Sequence, residues 1–412
     1  MNESLVHVTL EIADHEIRLA IGQFHNSRLN IFKVERVAVH GLTGAMISDQ
    51  AALVKAIEAA KQHCLDTLGF PIQRVVLAIP SINTARYSRR IEVNVKEQVS
   101  LQDIQLILKE AYKTSVPKHQ EIVNVMIQKS IVNGITLRRL PIGEFCDRLS
   151  VDVDLLCADR DLVYKYVQTV EKAGLEIVDI ALESYAFAKE ASLFEKSLEN
   201  YIVAIKVERQ STSLSLFAKG KLASSEVLDV GMADLISEIA YKMHLPIDVA
   251  DRLLHHNLRL GLDHYPDTPI YLWSNEGKTH TLSENEMAQL IESKLKNYLE
   301  VLVSAMGPVL ENSKVQILLY GASSDINGLS DVIAKATKME TSTYIPDTLG
   351  IRSSALSTMA GLFYVIKDQS HFRQFESGVD VIRMDELLNP RFEKNSDDTL
   401  SQRLKGLFEK RN

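Results

Sequence analysis

The chain predicts an α/β protein of two similar lobes facing each other across a cleft. Three observations carry this expectation: a strand–strand–strand–helix pattern that occurs twice, a compact α+β segment between the two copies, and a second insertion inside the later copy. Residues 5–38 contain VHVTLEI, IRLAIGQF and, after His25-Asn26-Ser27, LNIFKVERV. Residues 201–230 contain YIVAIKV, STSLSLFA and, after Lys219-Gly220, KLASSEVLDV. Apolar residues at period two predict half-buried antiparallel strands in both copies. A helix follows each triple. The first spans about Asp49 to Leu68, with Leu53, Ile57, Ala60 and Cys64 on one face and Gly69 as its stop. The second begins after Gly231 and places Leu235, Ile239 and Met243 together.

Between the copies, Ser100-Leu101-Gln102-Asp103 forms a capping box for a helix through Tyr112. Strands are expected at Ile122 to Ile127 and Leu149 to Leu156. A further helix runs from Asp161 to Ala173, with Val163, Val167 and Val170 on one face and Gly174 at its end. The second insertion opens after Ala240. It carries a strand at Ile270 to Ser274, a turn at Asn275-Glu276-Gly277 and a return strand to Leu282. The capping box Ser283 to Glu286 then starts a long helix whose stripe Met287, Leu290, Ile291, Leu295, Tyr298 and Leu299 reads as core.

Bulk properties narrow the function classes. The 412 residues exceed one ordinary domain. A net charge of −8 argues against nucleic acid as the main partner. Cys64, Cys146 and Cys157 have no metal-type spacing and read as buried thiols of a reduced, cytoplasmic protein. No run approaches the roughly 20 apolar residues of a membrane span, and MNESLVHV lacks an export signal. His244, His255, His256 and His264 lack ligand spacing and read as exposed histidines, so no metal site is expected. No nucleophile elbow, Walker loop or Cys–His constellation is present, and no catalytic residue is assigned.

The C-terminus carries a separate signal. Residues 367–398 are polar-leaning and read as a largely disordered linker, with a transient helix at Val379 to Leu388. In 399–412, Leu400, Leu404, Leu407 and Phe408 share one helical face, and Arg403, Lys405, Lys410 and Arg411 occupy the rest. A short basic amphipathic helix on a tether is the pattern of a membrane-surface anchor.

The order and spacing of several runs resemble FtsA, the bacterial cell-division family of the actin/Hsp70 superfamily. They are VTLEIADHEIRLAIG at 8–22, GFPIQRVVLAI at 69–79, Ser115 to Pro117, Ile122 to Val125, VEKAGLEIVDI at 170–180, the hairpin at 201–217, and ILLYGASSDINGL at 317–329. The resemblance implies an actin-like two-lobed ATPase fold with an SHS2-like subdomain 1C insertion and a C-terminal amphipathic helix. It divides the chain into 1A (1–84, 178–200, 352–366), 1C (85–177), 2A (201–240, 313–351), 2B (241–312), the linker 367–398 and the helix 399–412. It implies a peripheral protein on the cytoplasmic membrane face at the division site that assembles into filaments. Its subdomain 2B would receive the C-terminal peptide of the tubulin homologue FtsZ, and it would recruit later division proteins. A PilM-like pilus or secretion platform, which shares the fold without the terminal helix, is the alternative; an active ATPase of the same fold is the second.

The family ligands are ATP and magnesium, and here the sequence departs from its pattern. Where the family's first hairpin carries an acidic residue, Gly, Thr and Lys, this chain has Glu11, Ala13, Asp14 and Arg18. The Asp-Ile-Gly-Gly-Gly of the second hairpin becomes Lys206, Val207, Glu208, Arg209 and Gln210, followed by Ser211. The adenosine motif becomes Tyr320, Gly321, Ala322, and Asp251 and Leu254 stand where a Glu and a Lys flank the base and ribose. A phosphate cradle needs backbone amides that side chains do not obstruct, and an ammonium cannot ligate magnesium. No cofactor is therefore expected. Glu11 and Lys206 are expected to pair across the cleft, with Asp14 and Arg209 as a second pair; the alternative is that both loops are solvated.

Overall fold

Two five-stranded sheets of the same strand order frame the molecule, which the computed structural model describes over residues 5–275, 278–311 and 315–388. The first runs Glu176–Leu182, Arg74–Ile79, Val6–Ile12, Glu16–His25, Arg28–Ala38. The second runs Glu340–Thr343, Val315–Tyr320, Tyr201–Val207, Thr212–Ala218, Lys221–Leu228. In each, the three consecutive strands pair antiparallel and the later strands add in parallel. The sequence echo is thus a repeat of topology. The half-buried expectation is corrected at Val6–Ile12, which is buried along its whole length. Parallel addition on one side and covered faces leave a central strand no wet face, so the polar alternates His7, Thr9 and Glu11 are inside as well.

Local chemistry sets the element ends. Asp49 accepts from the Ala52 amide to start the helix Gln50–Leu68, and Gly69, left-handed, ends it. The inserted antiparallel sheet runs Ala85–Asn94, Arg148–Asp159, Gln120–Val132, Ile135–Leu137. The helix Leu101–Tyr112, capped by the Ser100–Asp103 box, covers one face with Ile104 and Ile107 against Val151, Val153 and Leu155. Its strands outrun the apolar segments read from sequence, because their polar ends still pair across the ladder. The helix Arg160–Lys172, expected within the insertion, instead buries Leu162, Val163, Tyr166 and Val170 in the first lobe's core.

In the second lobe, helices Ala233–Met243 and Ile247–His256 precede the hairpin Pro269–Asn275 and Lys278–Ser283. The Ser283–Glu286 box opens the helix Glu284–Leu310. A shared core joins the lobes: Ile202, Ala204, Phe217, Leu222 and Tyr320 cluster with first-lobe residues. Tyr320 stacks on Phe187 at 3.7 Å between ring centroids and 4° between planes. The helix Ser357–Gln369 crosses Glu183–Glu190 so closely that a Cβ on Gly361 would lie 1.9 Å from the Ala186 carbonyl oxygen.

The expected linker at 367–398 is corrected in its first part. Lys367 to Gln369 finish the helix Ser357–Gln369. A strap follows. The Gly378 amide donates to Val6 O at 2.8 Å, its carbonyl accepts from the Gln73 and Arg74 amides, and Val379 bridges Ile72. Phe375 and Val379 are buried, with Phe375 edge-on to His7. The helix Val381–Leu388 comes next. Average polarity hid a few anchoring residues that match a sheet end. The rest of the linker and the amphipathic helix 399–412 lie outside the described residues. Among those described, no helix is long and apolar enough to cross a membrane.

Candidate functional site

The two hairpins meet tip to tip. Antiparallel pairing of Glu11 with Arg18 and of Lys206 with Ser213 fixes these side chains toward the opposite lobe. Lys206 Nζ donates to Glu11 Oε1 and to Glu183 Oε2, each at 2.6 Å, and stands 4.0 Å from Glu208. The Glu11–Lys206 contact is the one expected across the cleft. Glu183, absent from the sequence reading, opens the helix Glu183–Glu190, where the first-turn position favours an anion. Its other oxygen accepts from Ser213 Oγ at 3.3 Å. Only chain crossing brings residue 183 here.

Beside this cluster, Arg18 is fully buried and grips Glu208 with two hydrogen bonds of 2.9 and 2.8 Å. It also reaches Glu16 at 2.7 Å and Glu11 at 3.2 Å. Such bidentate guanidinium–carboxylate pairs combine charge with fixed geometry. Burial acts to lower the pKa of Lys206, yet the carboxylates of Glu11, Glu183 and Glu208 outweigh it and hold the ammonium well above its usual range. Burial likewise raises Glu11, and Lys206 and Arg18 more than reverse it. Glu16 falls to about 2, because Arg18 and Arg36 overcome its burial.

The second expected pair is corrected. Asp14 does not meet Arg209. Its Oδ2 accepts from the backbone amides of Gln210 and Ser211, at 2.7 and 3.0 Å, and from Ser211 Oγ at 3.1 Å. Gln210 Nε2 donates back to Asp14 O at 3.0 Å. Arg209 turns instead to Asp251, 2.5 Å away. Turn amides point outward in a ring, so a short carboxylate fits them better than a long guanidinium fits Asp14. The alternative of solvated loops is also excluded: Glu11, Asp14, Lys206, Glu208 and Ser211 are all buried.

The remaining positions fall into place around this. Gly321 adopts φ +101°, and a Cβ there would lie 2.6 Å from Val207 O. The Ala322 carbonyl lies 3.3 Å from His255 Nε2. His255, expected to be exposed, is largely covered. Burial would lower its pKa, but hydrogen bonds and charge from Asp251 raise it. Asp14, His15 and Glu208 bring donor atoms within 4.8 Å of one another. A metal there would compete with Arg18 for Glu208 and with two amides for Asp14, so the set does not fit a resident ion. A phosphate finds the Gln210 and Ser211 amides taken.

A second concavity differs in kind. On the second lobe, a groove of about 810 Å³ is lined by Leu262, Tyr265, Leu295, Leu299 and Val332, with Lys296 and the carboxylates of Asp263, Glu292 and Glu300 at its side. The stripe read as core packs as core: Met287, Ile291 and Tyr298 are buried and Leu290, Leu295 and Leu299 pack against them, with Ile291, Leu295 and Leu299 also lining the groove.

Comparison with known proteins bears on the insertion and on the fold. The profile described as "SHS2 domain inserted in FTSA" matches residues 81–157, the inserted sheet. The chain is 24% identical to cell division protein FtsA of Bacillus subtilis over 375 residues, covering 88% of this chain and 83% of that one. It is 21% identical to FtsA of Neisseria meningitidis, covering 90% and 92%. Among solved structures, the PilM–PilN type IV pilus biogenesis complex matches with a TM-score of 0.57 at 15% identity, covering 89% and 99%. MreB5 of Spiroplasma citri bound to AMPPNP matches at 0.50 and 12%, covering 89% and 97%. The fold is actin-like and carries the SHS2 insertion of FtsA.

Proposed function

We propose that this chain, similar to FtsA over most of its length, is a cell-division scaffold that anchors FtsZ filaments to the cytoplasmic membrane face at the septum. The observation that carries the reading is the SHS2-type insertion inside an actin-like frame, with similarity to FtsA on both sides of it. The open apolar groove of the second lobe is the docking place for the FtsZ C-terminal peptide, since it offers apolar surface to a peptide's apolar side chains. Residues 399–412 supply the membrane anchor. One such short helix binds weakly, so self-association into filaments makes attachment effective by multivalency. The same scaffold recruits later division proteins. ATP binding is lost or weak, and no ATPase activity is assigned.

Co-sedimentation with FtsZ and anionic liposomes tests this. The full-length chain carries FtsZ to the vesicles, and a chain truncated after Asn395 does not. A chain that pellets without FtsZ refutes the reading. The fold match to the PilM–PilN complex supports a pilus platform as the second reading; in that case truncation changes nothing. Isothermal titration with Mg-ATP checks the nucleotide site, and micromolar affinity contradicts the expectation.

A further inference from the structure

We infer that the two lobes are held closed by the chain's own charged groups acting as tethered ligands, so that closure needs no bound nucleotide. This deepens the reading of a lost or weak nucleotide site, and it rests on contacts that each cross the cleft.

One group is an internal anion. Asp14, on the first lobe, seats its carboxylate on two adjacent backbone amides and a hydroxyl of the second lobe's hairpin tip. Converging turn amides make an oxyanion site, and the occupant here is part of the protein. The other is an internal cation. Lys206, on the second lobe, places its ammonium against Glu11 and Glu183 of the first lobe. A third contact runs in the opposite sense, with Arg18 of the first lobe holding Glu208 of the second. Each lobe thus offers a cation to carboxylates of the other, and the first lobe adds the Asp14 anion. Sliding or opening therefore breaks all three at once. The Phe187–Tyr320 stack and the hydrogen bonds from Tyr344 Oη to Glu190 also join the two lobes. A tethered ligand is always present at high effective concentration, and a free one must displace it.

Interlobe distance measures this directly. Cys64, Cys146 and Cys157 are buried, so spin labels at Lys55→Cys on the first lobe and Lys335→Cys on the second are selective. Pulsed electron resonance on the full chain should give one narrow distance, unchanged by Mg-ATP or by inorganic phosphate. Lys206→Met and Asp14→Ala should each broaden the distribution and shift it to longer distances. A wild-type distance that is broad alone and narrows with Mg-ATP overturns the inference. So do variants that fold, by circular dichroism, yet keep the wild-type distribution. If a variant does not fold, the wild-type titration alone decides. Failure of FtsZ co-sedimentation leaves this result untouched, so the two readings fail separately.

Discussion

The cleft between the hairpins and the groove on the second lobe are built on opposite plans. The cleft between the hairpins is filled by Glu11, Asp14, Arg18, Lys206 and Glu208, each satisfied by the facing lobe. The groove on the second lobe is open among the described residues, and Leu262, Leu295 and Leu299 line it. In an actin-like fold the cleft draws attention first. Here its polar groups spend their hydrogen bonds on one another, and the groove keeps apolar surface open to a partner. Depth therefore does not identify the ligand site; unsatisfied surface does.

The sharpest way to break this contrast is to remove one charge from the cleft. Lys206→Met leaves Glu183 buried without its cation and Glu11 with Arg18 alone. Breaking a buried ion pair from one side costs about 3–5 kcal/mol, so denaturant unfolding should show a loss of that order. A loss below ~1 kcal/mol means that water reaches the cleft and that the two concavities are alike.

pH probes the packing behind the cleft. Burial lowers His7 from 6.5 to about 4. The unfolded chain takes up a proton there first, so stability is lost as pH falls from about 6.5 through 4, by at most about 3 kcal/mol. His7→Gln should flatten that limb, and the effect should be visible as altered protease access to the strap at Phe375. Glu190 behaves in the opposite sense. Burial raises it from 4.5 to about 7, against the Tyr344 hydrogen bond that lowers it. Its contribution is present below about 4.5 and lost as pH rises through 7. Glu190→Gln should therefore raise the melting temperature at pH 8 more than at pH 5, by the equivalent of about 1–3 kcal/mol. An equal change at both values removes the carboxyl from this account.

In the groove the expected loss is in binding rather than folding. Leu295→Gln should weaken capture of an FtsZ C-terminal peptide about tenfold, roughly 1.4 kcal/mol, with little change in melting temperature. Fluorescence anisotropy with the labelled peptide reads it. Unfolding without a binding change would leave Leu295 to the core stripe alone.

Much of the frame was legible because it is local. Period-two strands, the Asp49, Ser100 and Ser283 caps and the Gly69 stop each follow from neighbours within a few residues. The Glu11–Lys206 pair was also foreseeable, since the echo of the two hairpins aligns them. The partner of Asp14 was not: side-chain charge suggested Arg209, and the competing donors were backbone amides, which every sequence carries invisibly. The strap at 375–379 was missed for a related reason, because its anchors are main-chain bonds to Val6, Gln73 and Arg74.

The sequence by itself determined two topologically equivalent lobes, the place of the insertions and the charged character of both hairpin tips, because strand period, caps and residue type act over short range. Only the tertiary structure decided which charges meet. Glu183 reaches Lys206 from 23 positions away, and Arg18 reaches Glu208 from 190. Electrostatic pairing depends on separation and burial in space, and neither quantity is written along the chain.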